Sequence, residues 1–142
     1  MERLDPDSIF SIFEQGDEAV YEEHGVTEVL DNPYVIMGMV LRGVDQFELM
    51  AIMVERKYPE QWAKDKTKIK YKYYNRLFDH MNRIDLTHSQ SVYKVSDAFD
   101  FEEILLGLSK MLYFYEGIEE YEKCALIKKY LDTLEEAQNA TV

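Results

Sequence analysis

The chain has 142 residues, a single cysteine and a formal net charge of −12. That length suits one domain, residues 1–142, burying roughly 70% of its unfolded surface. One cysteine excludes an intrachain disulfide, and the most apolar uncharged run, residues 33–41, falls far short of the roughly 20 residues of a membrane span.

In chain order, the first signals are short. Asp7 or Ser8 is placed to cap a helix carrying Ile9, Phe10, Ile12 and Phe13, with Gly16 at its end. Asp17 to His24 suits another turn or two, and Val26 to Leu30 is too short to assign. Asp31-Asn32-Pro33 is a turn signal, with Pro33 suited to the first position of the next helix. The block Val35 to Leu41 fits a buried strand or a buried helix, which periodicity alone does not separate. Length favours helix, as does the continuation through Phe47, Met50, Ala51 and Val54, with Asp45, Glu48, Glu55 and Arg56 on the other side. Gly43 is the expected break between two helices, and Pro59 the end of the segment. Four methionines in this stretch suit an ordinary core or an adaptable groove.

Residues 60–84 show two periods at once. Lys64, Lys66, Lys68, Lys70 and Lys72 alternate with Thr67, Ile69 and Tyr71, which is a strand pattern. Trp62, Ile69, Tyr73, Leu77, Phe78, Met81 and Ile84 keep a helical face without an internal glycine or proline, so one long helix is expected. Asp85 to Ser96, rich in Ser, Thr, His and Asp, is expected to be a loop with a short extended piece at 91–95.

The last third carries the clearest architecture, a helical hairpin over residues 100–136. Phe101, Ile104, Leu105, Leu108, Met111, Leu112 and Tyr115 recur at steps of three and four, and so do Tyr121, Cys124, Ile127, Leu131 and Leu134. Asp100 and Glu103 have the spacing of a capping box, and Gly117 suits the left-handed position after a helix. Beyond Leu134 the apolar face is lost, so residues 137–142 are expected to fray. The fold class that follows is all-α, a compact bundle of five to seven helices.

Charge is unevenly spread. Residues 1–58 carry thirteen acids and four bases, residues 59–84 three and seven, and residues 85–142 twelve and five, giving nets of −9, +4 and −7. Acidic flanks repel phosphates at low salt and disfavour nucleic acid as the main partner. The basic island also suits pairing with its own flanks. The lysine–tyrosine block Lys64 to Lys72 is nonetheless the best nucleic-acid candidate, because rings stack on bases while ammonium groups follow the backbone.

Motifs of catalysis are missing. The chain has no phosphate-binding glycine loop, no dinucleotide fingerprint and no nucleophile elbow. Of three histidines only His88 has a carboxylate, Asp85, three positions before it, which is far from a ligand set. Cys124 lies on an apolar face, where a thiolate is disfavoured. No cofactor, metal or enzymatic activity is expected, and a soluble cytoplasmic protein fits this composition and the charged opening Met1-Glu2-Arg3.

The segment Glu120-Tyr121-Glu122-Lys123-Cys124-Ala125-Leu126-Ile127-Lys128-Lys129-Tyr130-Leu131-Asp132-Thr133-Leu134, with the end of the preceding helix at Met111 to Glu116, resembles the UVR motif of UvrB, UvrC and some Clp-associated proteins. Tyr121 corresponds to the motif's aromatic, Cys124 and Ala125 to its small pair, and Ile127, Leu131 and Leu134 to its apolar seam. Ile127-Lys128-Lys129 departs from the usual Leu-Arg-Asp centre. The resemblance, confined to 111–136, implies a hairpin that docks on another copy or on a protein partner. In style the chain is also loosely similar to small bacteriophage accessory proteins. The expected function is therefore non-enzymatic protein binding or self-association, with Tyr113, Tyr115, Tyr121, Tyr130 and Leu131 as interaction residues, because aromatics concentrate at binding hot spots. The alternatives are an acidic mimic that blocks a nucleic-acid-binding enzyme, and nucleic-acid binding through Lys64, Lys66, Lys68, Lys70 and Lys72.

Overall fold

The computed structural model describes residues 32–140, and the short elements expected before Asn32 lie outside them, as do residues 141–142 of the expected fraying tail. All five elements among the described residues are helices: α1 Pro33–Lys57, α2 Pro59–Met81, α3 Ser89–Ala98, α4 Phe101–Gly117 and α5 Tyr121–Ala140. The segment 35–41 is thus helical. No helix among the described residues is long and apolar enough to cross a membrane.

α1 starts where the turn signal places it. Asn32 is extended, its side-chain oxygen accepts the amide hydrogen of Tyr34 at 3.3 Å, and Pro33 occupies the first turn, where a missing N–H costs nothing. The helix then runs unbroken through Gly43, contrary to the expected interruption. Gly43 is there for close approach: a Cβ at this position would lie 2.7 Å from Leu77 Cδ2, and the Tyr73 hydroxyl donates to the Gly43 carbonyl at 2.7 Å. Packing against α2 outweighs the roughly 1 kcal/mol helix penalty of glycine.

Tyr58 is the whole joint between α1 and α2. Its N–H donates to the Val54 carbonyl, its own carbonyl accepts from Trp62, and Pro59 opens α2. The two helices run antiparallel, with Gly43 against Leu77 and the Phe47 ring 5.0 Å from that of Tyr73.

Residues 89–96 of the expected loop 85–96 instead belong to α3. Val92, Val95 and Phe99 are spaced three and four apart and turn inward, Val95 completely, so packing on α1 and α5 stabilises a helix that its polar composition conceals. Between α2 and α3, residues 82–88 remain irregular, tightened by Asp85, whose carboxylate accepts both the amide and hydroxyl hydrogens of Thr87.

α4 and α5 form an antiparallel hairpin whose ends differ from expectation. Asp100 makes no side-chain cap. The Phe101 amide donates instead to Gln138 Oε1 at 3.1 Å, while Gln138 Nε2 donates to the carbonyls of Phe99 at 3.0 Å and Ser96 at 3.4 Å. One amide from α5 thereby satisfies the last carbonyls of α3 and the first N–H of α4. The anchoring holds α5 helical to Ala140, so residues 137–140 are not frayed. At the turn, Gly117 is the last helical residue and Glu119 takes the left-handed conformation, φ 62°. Glu120 N–H reaches the Tyr115 carbonyl and Glu119 N–H that of Glu116, a Schellman closure with a side chain where glycine is usual.

Two stability predictions follow from these ends. Glu119→Gly, which relieves left-handed strain at some entropic cost, is expected to raise stability by about 0.5–1 kcal/mol. Gln138→Ala, which strips partners from a half-buried amide and carbonyl, is expected to lower it by about 1–3 kcal/mol. Urea midpoints at an unchanged slope measure both, and a neutral Gln138→Ala would contradict the anchoring role.

Candidate functional site

Among the described residues, two helices each carry a strip of exposed large apolar side chains. On α1, Leu49, Ile52 and Met53 (68% exposed) recur at three and four residues, on the face opposite buried Phe47 and Val54. On α4, Leu106 and Tyr113, 65% and 79% exposed, lie two turns apart, again opposite a buried stripe of Ile104, Leu108, Met111 and Tyr115. Lys110 joins the two helices. Its ammonium lies 3.1 Å from Glu48 Oε2 and 3.7 Å from Asp45 Oδ1 on α1, so an ion bridge ties the two helices that carry the apolar strips.

Beside this surface runs an open groove between α1 and α2, lined by Phe47, Ile52, Trp62, Lys66, Lys70 and Phe114. Lys70 is half-buried there, its ammonium 5.2–5.8 Å from the ring centres of Phe114, Tyr74 and Phe47. Burial pulls its pKa below the ordinary lysine value, with Lys66 adding to the effect and Glu48 opposing it. The ring faces stabilise a cation that water no longer fully solvates.

The residues expected to bind a partner separate into two groups. Tyr113 and Tyr121 are exposed, Tyr113 on α4 and Tyr121 at the start of α5. Tyr115, Tyr130 and Leu131 are buried, which corrects the expectation that the tyrosines among them offer exposed surface. The reason is that α2 needs them. Tyr115 donates its hydroxyl hydrogen to Asn75 Oδ1 at 2.9 Å and packs edge-on against Phe78, and Tyr130 donates to the carbonyls of Met81 and Ile84, each at 2.9 Å. Leu131 points inward with Ile127 and Leu134, so the seam of the UVR-like segment covers the chain's own interior.

The five lysines do not share one face. Lys64, Lys68 and Lys72 follow one side of α2 at four-residue steps, Lys66 and Lys70 another, and Lys70 is turned into the rings. Nothing in the local chemistry favours a nucleophile at Cys124, which is buried and held above its ordinary pKa first by burial and then by Glu116. His88 Nε2 is 4.0 Å from Asp85 on an exposed turn. Among the described residues no three His, Cys, Asp or Glu side chains gather as metal ligands. Sequence reasoning missed Leu49, Ile52, Met53 and Leu106 as surface. Leu49 and Leu106 carried the signal, since each falls outside the helical stripe of its neighbours.

The chain matches no protein-family model, and no curated protein or solved structure shows significant similarity to it.

The buried tyrosines make stability sensitive to alkali. Burial pushes the Tyr130 hydroxyl up to about 12, with the charge of Asp85 adding to it, and burial drives Tyr74 and Tyr115 up as well. Tyrosine in an unfolded chain ionises near pH 10, so the contribution of Tyr130 is complete below that pH and is lost as pH rises towards 12. The melting temperature is expected to fall over that interval, and less steeply in Tyr130→Phe. Thermal unfolding followed by circular dichroism checks this, and equal slopes in the two proteins would refute the assignment to Tyr130.

Proposed function

We propose that this chain is a non-enzymatic protein-binding module that engages a partner, or a second copy of itself, through the outer face of α1 and α4. The observation that carries this reading is the paired apolar strip, Leu49, Ile52 and Met53 beside Leu106 and Tyr113, held in register by Lys110. Isolated apolar side chains on a surface are ordinary, but a contiguous cluster rimmed by charge is the pattern of an interaction site. Tyr113 supplies the aromatic anchor that such sites favour. Its neighbours Asp45, Glu48 and Lys110 supply a polar rim.

The UVR-like segment takes a different role in this reading. Because Ile127, Leu131 and Leu134 face inward, docking by the hairpin would use its outer positions Tyr121 and Leu126, which are exposed. The α1–α4 face carries more exposed large apolar side chains and is preferred.

The test is the double variant Ile52→Asp/Tyr113→Asp, at two positions already in contact with water. Its helical circular dichroism and melting temperature are expected to match the parent. Self-association seen by sedimentation, or a specific protein captured from the native host's extract, is expected to weaken at least tenfold. Undiminished association by a folded double variant would sink the proposal.

A further inference from the structure

The groove between α1 and α2 differs in chemistry from the outer face of α1 and α4. Phe114 reaches it from α4, so three helices contribute to its lining, and its volume is about 530 Å³. That is the size of a small-molecule site. Buried Phe47 and Trp62 and half-buried Phe114 make it aromatic, with Ala51 and Ile52 beside them. Glu48 also lines it, but its carboxylate is already held by Lys110 at 3.1 Å.

The two lysines of the lining carry the argument. Lys66 and Lys70 stand one turn apart on α2, a spacing at which like charges repel. Neither forms an ion pair or hydrogen bond with a described residue. For Lys70 this matters, because it is half-buried and has only ring faces around it, with centres 5.2–5.8 Å from its ammonium. Ring faces attract the charge, but they lack the oxygen lone pairs that three N–H donors seek. A desolvated cation of this kind is satisfied by an incoming carboxylate, whose charge-assisted hydrogen bonds are strong. Such an anion would also offset the burial and the Lys66 repulsion that together lower the Lys70 pKa.

We propose that this groove binds a small monocarboxylate with an apolar, preferably aromatic, body. The carboxylate accepts hydrogen bonds from Lys70 and Lys66, and the body lies against Phe114, Trp62 and Ile52. An ion pair with a surface lysine contributes little by itself, so burial of the body supplies the rest of the affinity. Glu48 in the same groove and the net charge of −12 select against phosphate and polyanions. The site stands apart from the protein-binding reading above, since Ile52 is the one strip residue among the described lining residues.

Trp62 is the only tryptophan and lines the groove, so its fluorescence reports the site. Titration of the full chain with 4-phenylbutyrate at constant ionic strength is expected to change it saturably, with a dissociation constant of about 1 mM or tighter, ordinary for a ligand of this size. 4-Phenylbutanamide, which has the body without the charge, and inorganic phosphate, which has charge without the body, are each expected to bind at least tenfold more weakly. Lys70→Met, which keeps an apolar stem, is expected to weaken the acid at least tenfold and leave the amide and the helical circular dichroism unchanged. No saturable change, an amide or phosphate that binds as well as the acid, or full affinity in a folded Lys70→Met would each overturn the proposal. Tighter binding by the peptide N-acetyl-Phe-Glu-Phe-amide would assign the groove to a protein partner's acidic segment and overturn it too. Should Lys70→Met fail to fold, nuclear Overhauser contacts in the parent decide. Contacts from the phenyl protons to Phe114 and the Lys70 side chain are expected, and their absence would overturn the placement.

Discussion

Four tyrosine hydroxyls, each needing a partner once its ring is buried or half-buried, set the position of α2 in this bundle. Tyr73 donates to the Gly43 carbonyl, Tyr71 to Glu120, Tyr115 to Asn75, and Tyr130 to the carbonyls of Met81 and Ile84; Tyr74 belongs to the same aromatic layer through Phe114. Rings of this size keep α2 away from the α4–α5 hairpin, so its contact with α4 and α5 is made largely by side chains. α1 approaches far more closely, because Gly43 removes the side chain at the crossing and Gly107 does the same for Leu41 against α4. The bundle thus has a tight seam at α1 and an aromatic cushion at α2. A buried hydroxyl without a partner costs more than its bond contributes, so each of these bonds specifies a position more than it adds stability.

The helical character of α1, α2, α4 and α5 was legible because long apolar stripes at helical spacing admit few other structures. What failed was reading by residue type alone. Gly43 has the identity of a helix breaker, and only the position of Leu77 shows it to be a crossing point. Residues 89–98 are polar enough for a loop, and the inward turn of Val92, Val95 and Phe99 depends on α1 and α5 being there to receive them. Asp100 and Glu103 had the spacing of a capping box, yet Gln138, 37 residues away, took the role. Local patterns settle local structure until a distant side chain offers a better partner.

The candidate surface was legible to a smaller degree, for the same reason. Tyr113, Tyr115, Tyr121 and Tyr130 are alike in sequence, and their fates divide by helical phase against a neighbour that the sequence does not place. Phase relative to Ile104 and Leu108 separates Tyr113 from Tyr115 once α4 is known to lie with that stripe inward. Leu49, Ile52 and Met53 are hard to place from sequence because the segment is apolar on nearly every side, and an all-round apolar helix hides which arc meets water. The result is a molecule whose proposed contact surface is an apolar strip on α1 and α4.

The Gln138 bridge bears on how such a chain is made. The corner between α3 and α4 is finished only by an amide that leaves the ribosome 37 residues after Phe101, and Tyr130 reaches back 46 residues to Ile84. A nascent chain that has produced α1 to α4 therefore has its apolar stripes in hand but lacks the groups that lock them. Closure of long loops of this kind is slow beside helix formation. Maturation of the bundle is thus timed by its last helix, and a ribosome stalled before that helix would display a half-assembled, adhesive intermediate.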